Sequence, residues 1–380
     1  MKSRPAPVPL PFQMARAWVM PQPLGVVGIV VPWNYPLYLT MGPLAAALAA
    51  GNRVMIKLSE FAPATSSVLA SLFGEVFPDE VVTVVEGAAE VAKAFVRLPF
   101  DHLLFTGSAA VGRQVMSEAS ANLTPVTLEL GGKSPVLLAA DADLATAAGS
   151  IVHGKFLAAG QTCIAPDYVL VPAERIDECV RALQAEIEKQ YPRAAENPDY
   201  TSVINQKQYA RLTAYLDEAR AAGVRIIETG APRDRKLPPA LVIDPPDRLR
   251  LMQEEIFGPI LPIKPYRTLE DAIRYINERP GPLVLYLFTR NSQVMDNVLK
   301  RTTSGSVAIN DTLLQIAIED LPFGGVGASG MGHYHGLAGF ETFSKLKPVF
   351  RRGGLSLAAS LRAPYGRLHD RIMRFLIRWW

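Results

Sequence analysis

Three residues of this chain have the types and settings that acyl chemistry requires. Cys163 closes the run Gly160–Gln161–Thr162–Cys163. A cysteine attacks only as its thiolate, so it needs a nearby base or a local positive potential. Most lone cysteines are inert packing groups, and Cys179, in the middle of a helical pattern, is read as one of them. Glu129 stands between Leu128 and Leu130 and is followed by Gly131–Gly132. A partly desolvated carboxylate holds its proton more tightly, which suits a general base; on composition alone, that reading and a solvent-facing glutamate on an alternating strand are about even. Asn34 follows Pro32–Trp33 at the end of an apolar run. An amide there can donate to a developing oxyanion, but Asn-x-Pro is also a good turn former, and alone the turn reading wins.

These residues need elements to position them. Val26 to Val31 is a β-branched run stopped by Pro32, and it reads as a buried strand. Pro43 to Ala50 reads as a helix with proline in its first turn and Gly51 past its end. Strands are expected at Arg53–Lys57, Val81–Val85 and His102–Phe105, with helices at Ala64–Phe77 and, after Thr106, Gly107 and Ser108, through Ala119. The alternation argues for a parallel, doubly wound sheet. Beyond Gly132 a second alternation begins. Strands are expected at Ser134–Leu138, Tyr168–Val171, Leu261–Ile263, Val284–Phe288 and Ser306–Ile309. Helices are expected at Leu144–Lys155, Arg175–Gln190, Leu269–Asn277 and Ser292–Lys300. Two such α/β domains imply a cleft between them, and clefts at domain junctions are common ligand sites.

Composition narrows the function classes. Half of the 380 residues are hydrophobic and the net charge is only +3, which gives nucleic acid no foothold. Two cysteines make no disulfide framework, and none of the five histidines pairs with them at metal-ligand spacing. No metal is therefore expected, and a reducing, cytoplasmic setting fits best. His333 and His335 are assigned surface or packing roles. The proline-rich N-terminus lacks the apolar stretch of a signal peptide, and no apolar run reaches membrane-spanning length. The tail from Leu355 to Trp380 alternates apolar and basic residues, and its end reads as an amphipathic helix.

A dinucleotide has weaker local signals. Thr106–Gly107–Ser108 joins a strand to a helix whose N-terminus suits a pyrophosphate, although the run is not G-x-G-x-x-G. Lys57 and Glu60, at the end of the second strand, are placed to bracket a ribose. For both, a solvated loop is the usual reading.

Taken together, seven stretches resemble the aldehyde dehydrogenase superfamily. They are PWNYP at Pro32, KLSE at Lys57, FTGSAAVG at Phe105, LELGGKSP at Leu128, GQTC at Gly160, EEIFGP at Glu254 and LPFGGVGASGMG at Leu321. Each is weak alone, but their order over residues 32 to 332 removes coincidence. The GQTC–IAPDY run, together with Tyr334–His335–Gly336 and Phe340–Glu341–Thr342–Phe343–Ser344, looks like the class 3 branch. Within it the chain is similar to bacterial coniferyl aldehyde dehydrogenases.

The resemblance implies an aldehyde dehydrogenase-like fold of two doubly wound α/β domains. Its parts are a cofactor domain over residues 1–131, a catalytic domain over 132–330, a return segment with a bridging strand over 331–354, and a basic tail over 355–380. It implies Cys163 as nucleophile, Glu129 as the base that activates water, and Asn34 with the Cys163 backbone N–H as the oxyanion hole. It assigns Trp33, Lys57, Glu60, Gly107, Ser108, Gly112, Glu255 and Phe257 to an NAD cofactor, with NADP also accommodated. Asn310 is expected to support the site. The implied reaction is oxidation of an aldehyde, aromatic by first preference, to its acid through a thiohemiacetal and a thioester. The expected partners are the small aldehyde and a second copy in a homodimer, with weak membrane-surface contact through the tail.

Two departures from the family pattern stand out. Only 31 residues precede Pro32, so the family's N-terminal helices are expected to be missing. Ala158 stands where the family has Asn, which is expected to loosen the backbone near Cys163. Competing readings are a catalytically impaired homologue that only binds nucleotide, a non-enzymatic membrane-associated protein and a CoA-acylating relative.

Overall fold

The computed structural model describes residues 2–9, 15–353, 363 and 365–378. Its sixteen strands among these residues are β1 (Arg4–Ala6), β2 (Arg16–Pro23), β3 (Val26–Val30), β4 (Arg53–Lys57), β5 (Val82–Val85), β6 (His102–Gly107), β7 (Val126–Leu130), β8 (Pro135–Leu138), β9 (Tyr168–Pro172), β10 (Arg225–Glu228), β11 (Ala240–Ile243), β12 (Ile260–Tyr266), β13 (Val284–Phe288), β14 (Ser306–Ile309), β15 (Gly330–Met331) and β16 (Ser344–Arg351). They form three sheets.

The first larger sheet runs β15-β7-β6-β3-β4-β5, with β3 to β7 parallel and β15 antiparallel to β7. The second runs β10-β11-β12-β9-β8-β13-β14, parallel except for β10. Their central strands are apolar on both faces because helices cover both sides, as parallel sheets require. A small antiparallel sheet, β1-β2-β16, joins the two ends of the chain, with eight residue pairs between β2 and β16. The family-like architecture expected from sequence is the one observed.

Element boundaries mostly fall within two residues of the sequence reading. The larger exception is the helix expected to start at Pro43, which starts at Pro36 and carries Pro43 in its interior. An internal proline costs a helix about 3 kcal/mol. Here Leu39, Thr40, Pro43, Leu44 and Ala47 are buried, so tertiary packing outweighs that cost.

Parallel strands bring their carboxyl ends to one edge. That edge of the first sheet carries Asn34 past β3, Lys57 at the end of β4, Gly107 at the end of β6 and Glu129 in β7. The chain then crosses into the second sheet through residues 131–134, between β7 and β8, and returns to the first through residues 310–329, between β14 and β15. These crossings set the place where groups from both sheets can meet.

Candidate active site

Glu129 is held from both sides by strand register. Thr106 of β6 is its parallel neighbour and Gly330 of β15 its antiparallel one. Gly330 has φ +150°, and a Cβ there would lie 2.2 Å from the Leu128 carbonyl oxygen, so only glycine lets β15 approach. The Glu129 side chain is 3% exposed, and neither carboxylate oxygen has a hydrogen-bond partner. Burial therefore pushes its pKa well above the usual glutamate range. The solvent-facing alternative is excluded. Neither oxygen is tied to another protein group, so once ionised the carboxylate is free to accept a proton.

Cys163 is a free thiol at the end of a strained loop. Residues Leu157–Gly160 turn tightly, with Ala158 at φ 51° and Ala159 at φ 54°, both left-handed. Gln161 holds this loop: its Nε2 donates to Ala158 O at 3.0 Å and Ser202 O at 3.1 Å, while its Oε1 accepts from Ile204 N at 2.9 Å. The Tyr286 hydroxyl donates to Ile164 O at 2.6 Å on the far side of the cysteine. Cys163 keeps part of its surface open, but its sulfur lies deep among protein atoms. Burial first, then the charges of Glu255 and Glu129, push the thiol up to about 12; the backbone N–H groups of Cys163 and Ile164 pull the other way. These two N–H groups thus already point toward the sulfur's negative charge.

Asn34 reaches the same loop. Its Nδ2 donates to Gln161 O at 3.1 Å, and an amide nitrogen carries a second hydrogen for a reacting oxygen. The neighbouring Tyr35 hydroxyl bonds the Thr162 hydroxyl at 2.8 Å. Glu129, Cys163 and Tyr334 are electrostatically coupled, since both charges raise the buried Tyr334. The structure thus gathers the three sequence-derived catalytic candidates in one place.

The cofactor candidates flank them. Glu255 lies over Gly131, where a Cβ would sit 2.1 Å from its carboxylate, and the Gly132 N–H bonds that carboxylate. Phe257, at φ 48°, meets the Trp33 ring edge to face with centroids 5.4 Å apart. Lys57 is buried rather than solvated; its Nζ donates to Leu58 O at 2.6 Å and lies 3.7 Å from Glu60 Oε2. Ser108 caps the helix Ala109–Ser120, and Gly112 packs that helix so close to β7 that a Cβ would meet Leu130 at 2.7 Å. A crevice of about 540 Å³ lined by Ala109, Gly131, Gly132, Lys133, Glu255 and Ser329 opens beside the Glu255 carboxylate. A neighbouring hollow lined by Lys264, Arg274 and Tyr275 holds none of the candidate site residues.

Several supporting residues escaped the sequence reading. Asp167 accepts from Ile256 N at 3.0 Å and pairs with Lys133, whose Nζ also reaches Leu251 O and Glu254 O at 2.8 and 3.0 Å. Arg211 donates to Glu255 O at 3.2 Å and Ile256 O at 2.7 Å. Together they fix the loop that carries Glu255. Asp167 and Lys133 sat inside quoted motifs, so their signal was present. Asn310, at φ 58°, makes its side-chain bonds to both the N–H and the carbonyl of Thr289, and acts by tying β13 to β14. His335 is packed, 3% exposed, against Phe323, Tyr334 and Tyr38; Cys179 is 2% exposed within the helix Ile176–Gln190.

Comparison with known proteins agrees with this geometry. Residues 4–349 match the Aldehyde dehydrogenase family. The chain is 53% identical over 368 residues to a probable coniferyl aldehyde dehydrogenase of Pseudomonas aeruginosa, covering 97% of this chain and 77% of that one. It is 42% identical to aldehyde dehydrogenase family 3 member A2 of Rattus norvegicus, over 92% of this chain and 72% of the relative. Among solved structures, Mycobacterium tuberculosis aldehyde dehydrogenase complexed with NAD+ superposes with a TM-score of 0.82 at 34% identity, over 90% and 72% of the two chains. The general class 3 likeness read from the sequence is matched by these relatives. With the family's motifs in order and residues 4 to 349 matching the family, this chain belongs to the aldehyde dehydrogenase family.

Proposed function

We propose that the protein oxidises an aromatic aldehyde of the coniferyl kind to its carboxylic acid with NAD(P) as hydride acceptor. The observation that carries this reading is an unpartnered, buried carboxyl, Glu129, whose charge acts on the Cys163 thiol. The 53% identity to a probable coniferyl aldehyde dehydrogenase supports the aromatic substrate.

The residues fit a dinucleotide. Gly131 leaves the space in which the Glu255 carboxylate lies, Lys57 and Glu60 form an ion pair at the end of β4, and Ser108 opens a helix N-terminus. Glu255 would hold the nicotinamide ribose, Lys57 and Glu60 the adenosine ribose, and Gly107, Ser108 and Gly112 the pyrophosphate turn, with Trp33 and Phe257 beside the nicotinamide. When bound, the oxidised nicotinamide supplies a positive charge beside the thiol and takes up a hydride.

Cys163 gives its proton to solvent water, and its sulfur, now a thiolate, adds to the aldehyde carbon. The carbonyl oxygen becomes an alkoxide, held by the Asn34 amide and the Cys163 N–H. The carbon's hydrogen leaves as hydride, the alkoxide re-forms a carbonyl, and a thioester on Cys163 remains. Glu129 then takes a proton from water, whose oxygen attacks the thioester carbon. The carbon–sulfur bond breaks, the thiolate departs and the acid is released. A water-activating base at this position favours hydrolysis over transfer to CoA.

Two finer readings complete the proposal. Exposed Leu123 and Leu337 leave apolar surface that a second copy would cover in a homodimer. In the helix Arg367–Arg378, Arg367, Arg371, Arg374 and Arg378 recur on one stripe, beside Leu368, Ile372 and Phe375. Such a helix suits the surface of an anionic bilayer. No helix among the described residues is long and apolar enough to cross one. The remainder of the tail over 355–380 lies largely outside the described residues.

A panel of aromatic and aliphatic aldehydes, run with NAD and with NADP and analysed for acid, tests the proposal. Coniferyl-type aldehydes with kcat/KM about tenfold or more above the aliphatic ones are expected. A preference for aliphatic aldehydes would overturn the substrate, and absence of acid from every aldehyde would overturn the reaction.

A further inference from the structure

The helix that leads into the Cys163 loop carries an amine the mechanism has not used. Lys155, in the helix Leu144–Phe156, is fully buried, and its Nζ has no hydrogen-bond partner. A buried ammonium without a partner is costly, so such a group needs an explanation. Its carbonyl oxygen lies 3.0 Å from where a Cβ on Gly160 would stand, which places the end of this helix directly against the nucleophile loop.

Three charged groups act on Lys155 electrostatically: Asp167, Lys133 and Glu255. Asp167 is already committed, with one oxygen to Ile256 N and the other to Lys133. Glu255 has Asp167, Lys133 and Arg211 as its own charged neighbours, and accepts the Gly132 N–H. The cluster therefore comprises two lysines and two carboxyls, of which Lys133 and Asp167 already pair directly. Lys155 and Glu255 remain as the two members without a dedicated counter-ion.

We propose that Lys155 receives the proton that Glu255 gives up when a ribose hydroxyl takes hold of the Glu255 carboxylate, so that cofactor binding moves a proton within the protein instead of releasing it. This rests on the reading of Glu255 as the ribose ligand. Hydroxyl donors favour the ionised carboxylate; its O–H bond breaks, an N–H bond forms on Lys155, and a neutral pair becomes an ion pair. Burial makes the two states close in energy, since it pulls Lys155 down to about 8 and pushes Glu255 up to about 8. A few hydrogen bonds from the ribose are enough to tip the balance.

Calorimetric titration of the whole protein with NAD at pH 8, in two buffers of different ionisation enthalpy, counts the protons released. Wild type should release close to none. Lys155→Met, which keeps the volume and removes the unpartnered amine, should release about half a proton per NAD. It should also bind NAD about tenfold more weakly at pH 7, with the gap closing by pH 9. Adding Glu255→Gln to that variant should abolish the release. Release of half a proton or more by wild type overturns the inference without any variant. So does a Lys155→Met protein that matches wild type in proton count and pH dependence while Glu255→Gln alone weakens NAD binding. Unchanged NAD affinity in Glu255→Gln would instead overturn the ribose role of Glu255.

Discussion

Glu129 shows how one residue is tuned by what it lacks. Its two oxygens have no partner and almost no solvent, so the protonated form is favoured in the folded protein. In the unfolded chain a glutamate ionises near pH ~4.3. The folded protein thus binds a proton more tightly than the unfolded one, and stability falls as pH rises above that value until the folded group itself ionises. Glu129→Gln removes this loss. The Tm difference between variant and wild type should widen in favour of the variant from pH 5 to pH 8; a difference constant over that range would contradict the burial argument. The leucines around Glu129 and the glycines after it carried this role in the sequence. Lys155 and Arg211 carried no comparable mark, because their importance lies in neighbours brought from other parts of the chain.

At the scale of the element, the loop before Cys163 is the most strained part of the site. Ala158 and Ala159 both occupy the left-handed region, which costs an L-residue roughly 1–2 kcal/mol. Asparagine tolerates this region better than alanine, and Ala158 is partly exposed, so the larger side chain has room. Ala158→Asn should therefore raise stability by about 0.5–1 kcal/mol in chemical denaturation. A destabilised variant would mean that the left-handed turn is not held in solution. Ala158 was legible as a departure from pattern, but the strain was not, since two alanines signal no turn. Most strands were readable from their β-branched runs. The helix Gln206–Ala221 was missed although Leu212, Tyr215, Leu216 and Ala219 recur at helical spacing and are buried.

At the scale of the molecule, the two larger sheets meet where residues 131–134 cross between them, and the third sheet ties β2 to β16 from opposite ends of the chain. Alternating strands and helices made the two doubly wound sheets legible. The β2–β16 pairing was not, because it joins residues some 320 positions apart and local pattern cannot specify a partner that distant. The basic helix Arg367–Arg378 belongs to this scale too. Removing residues 363–380 should leave turnover of a soluble aldehyde within about twofold and abolish sedimentation with anionic vesicles, with little binding to neutral vesicles before or after. Equal sedimentation of the shortened protein would contradict a role for the tail at membranes.

The central claim is that Cys163 and Glu129 act in sequence on one carbon. Rapid mixing of Glu129→Gln with NAD and a coniferyl-type aldehyde, followed at 340 nm, tests it most directly. The account predicts a burst approaching one NADH per Cys163, then a steady rate slowed on the order of a hundredfold or more, because the thioester forms but water is no longer activated. A steady rate equal to that of wild type would contradict it.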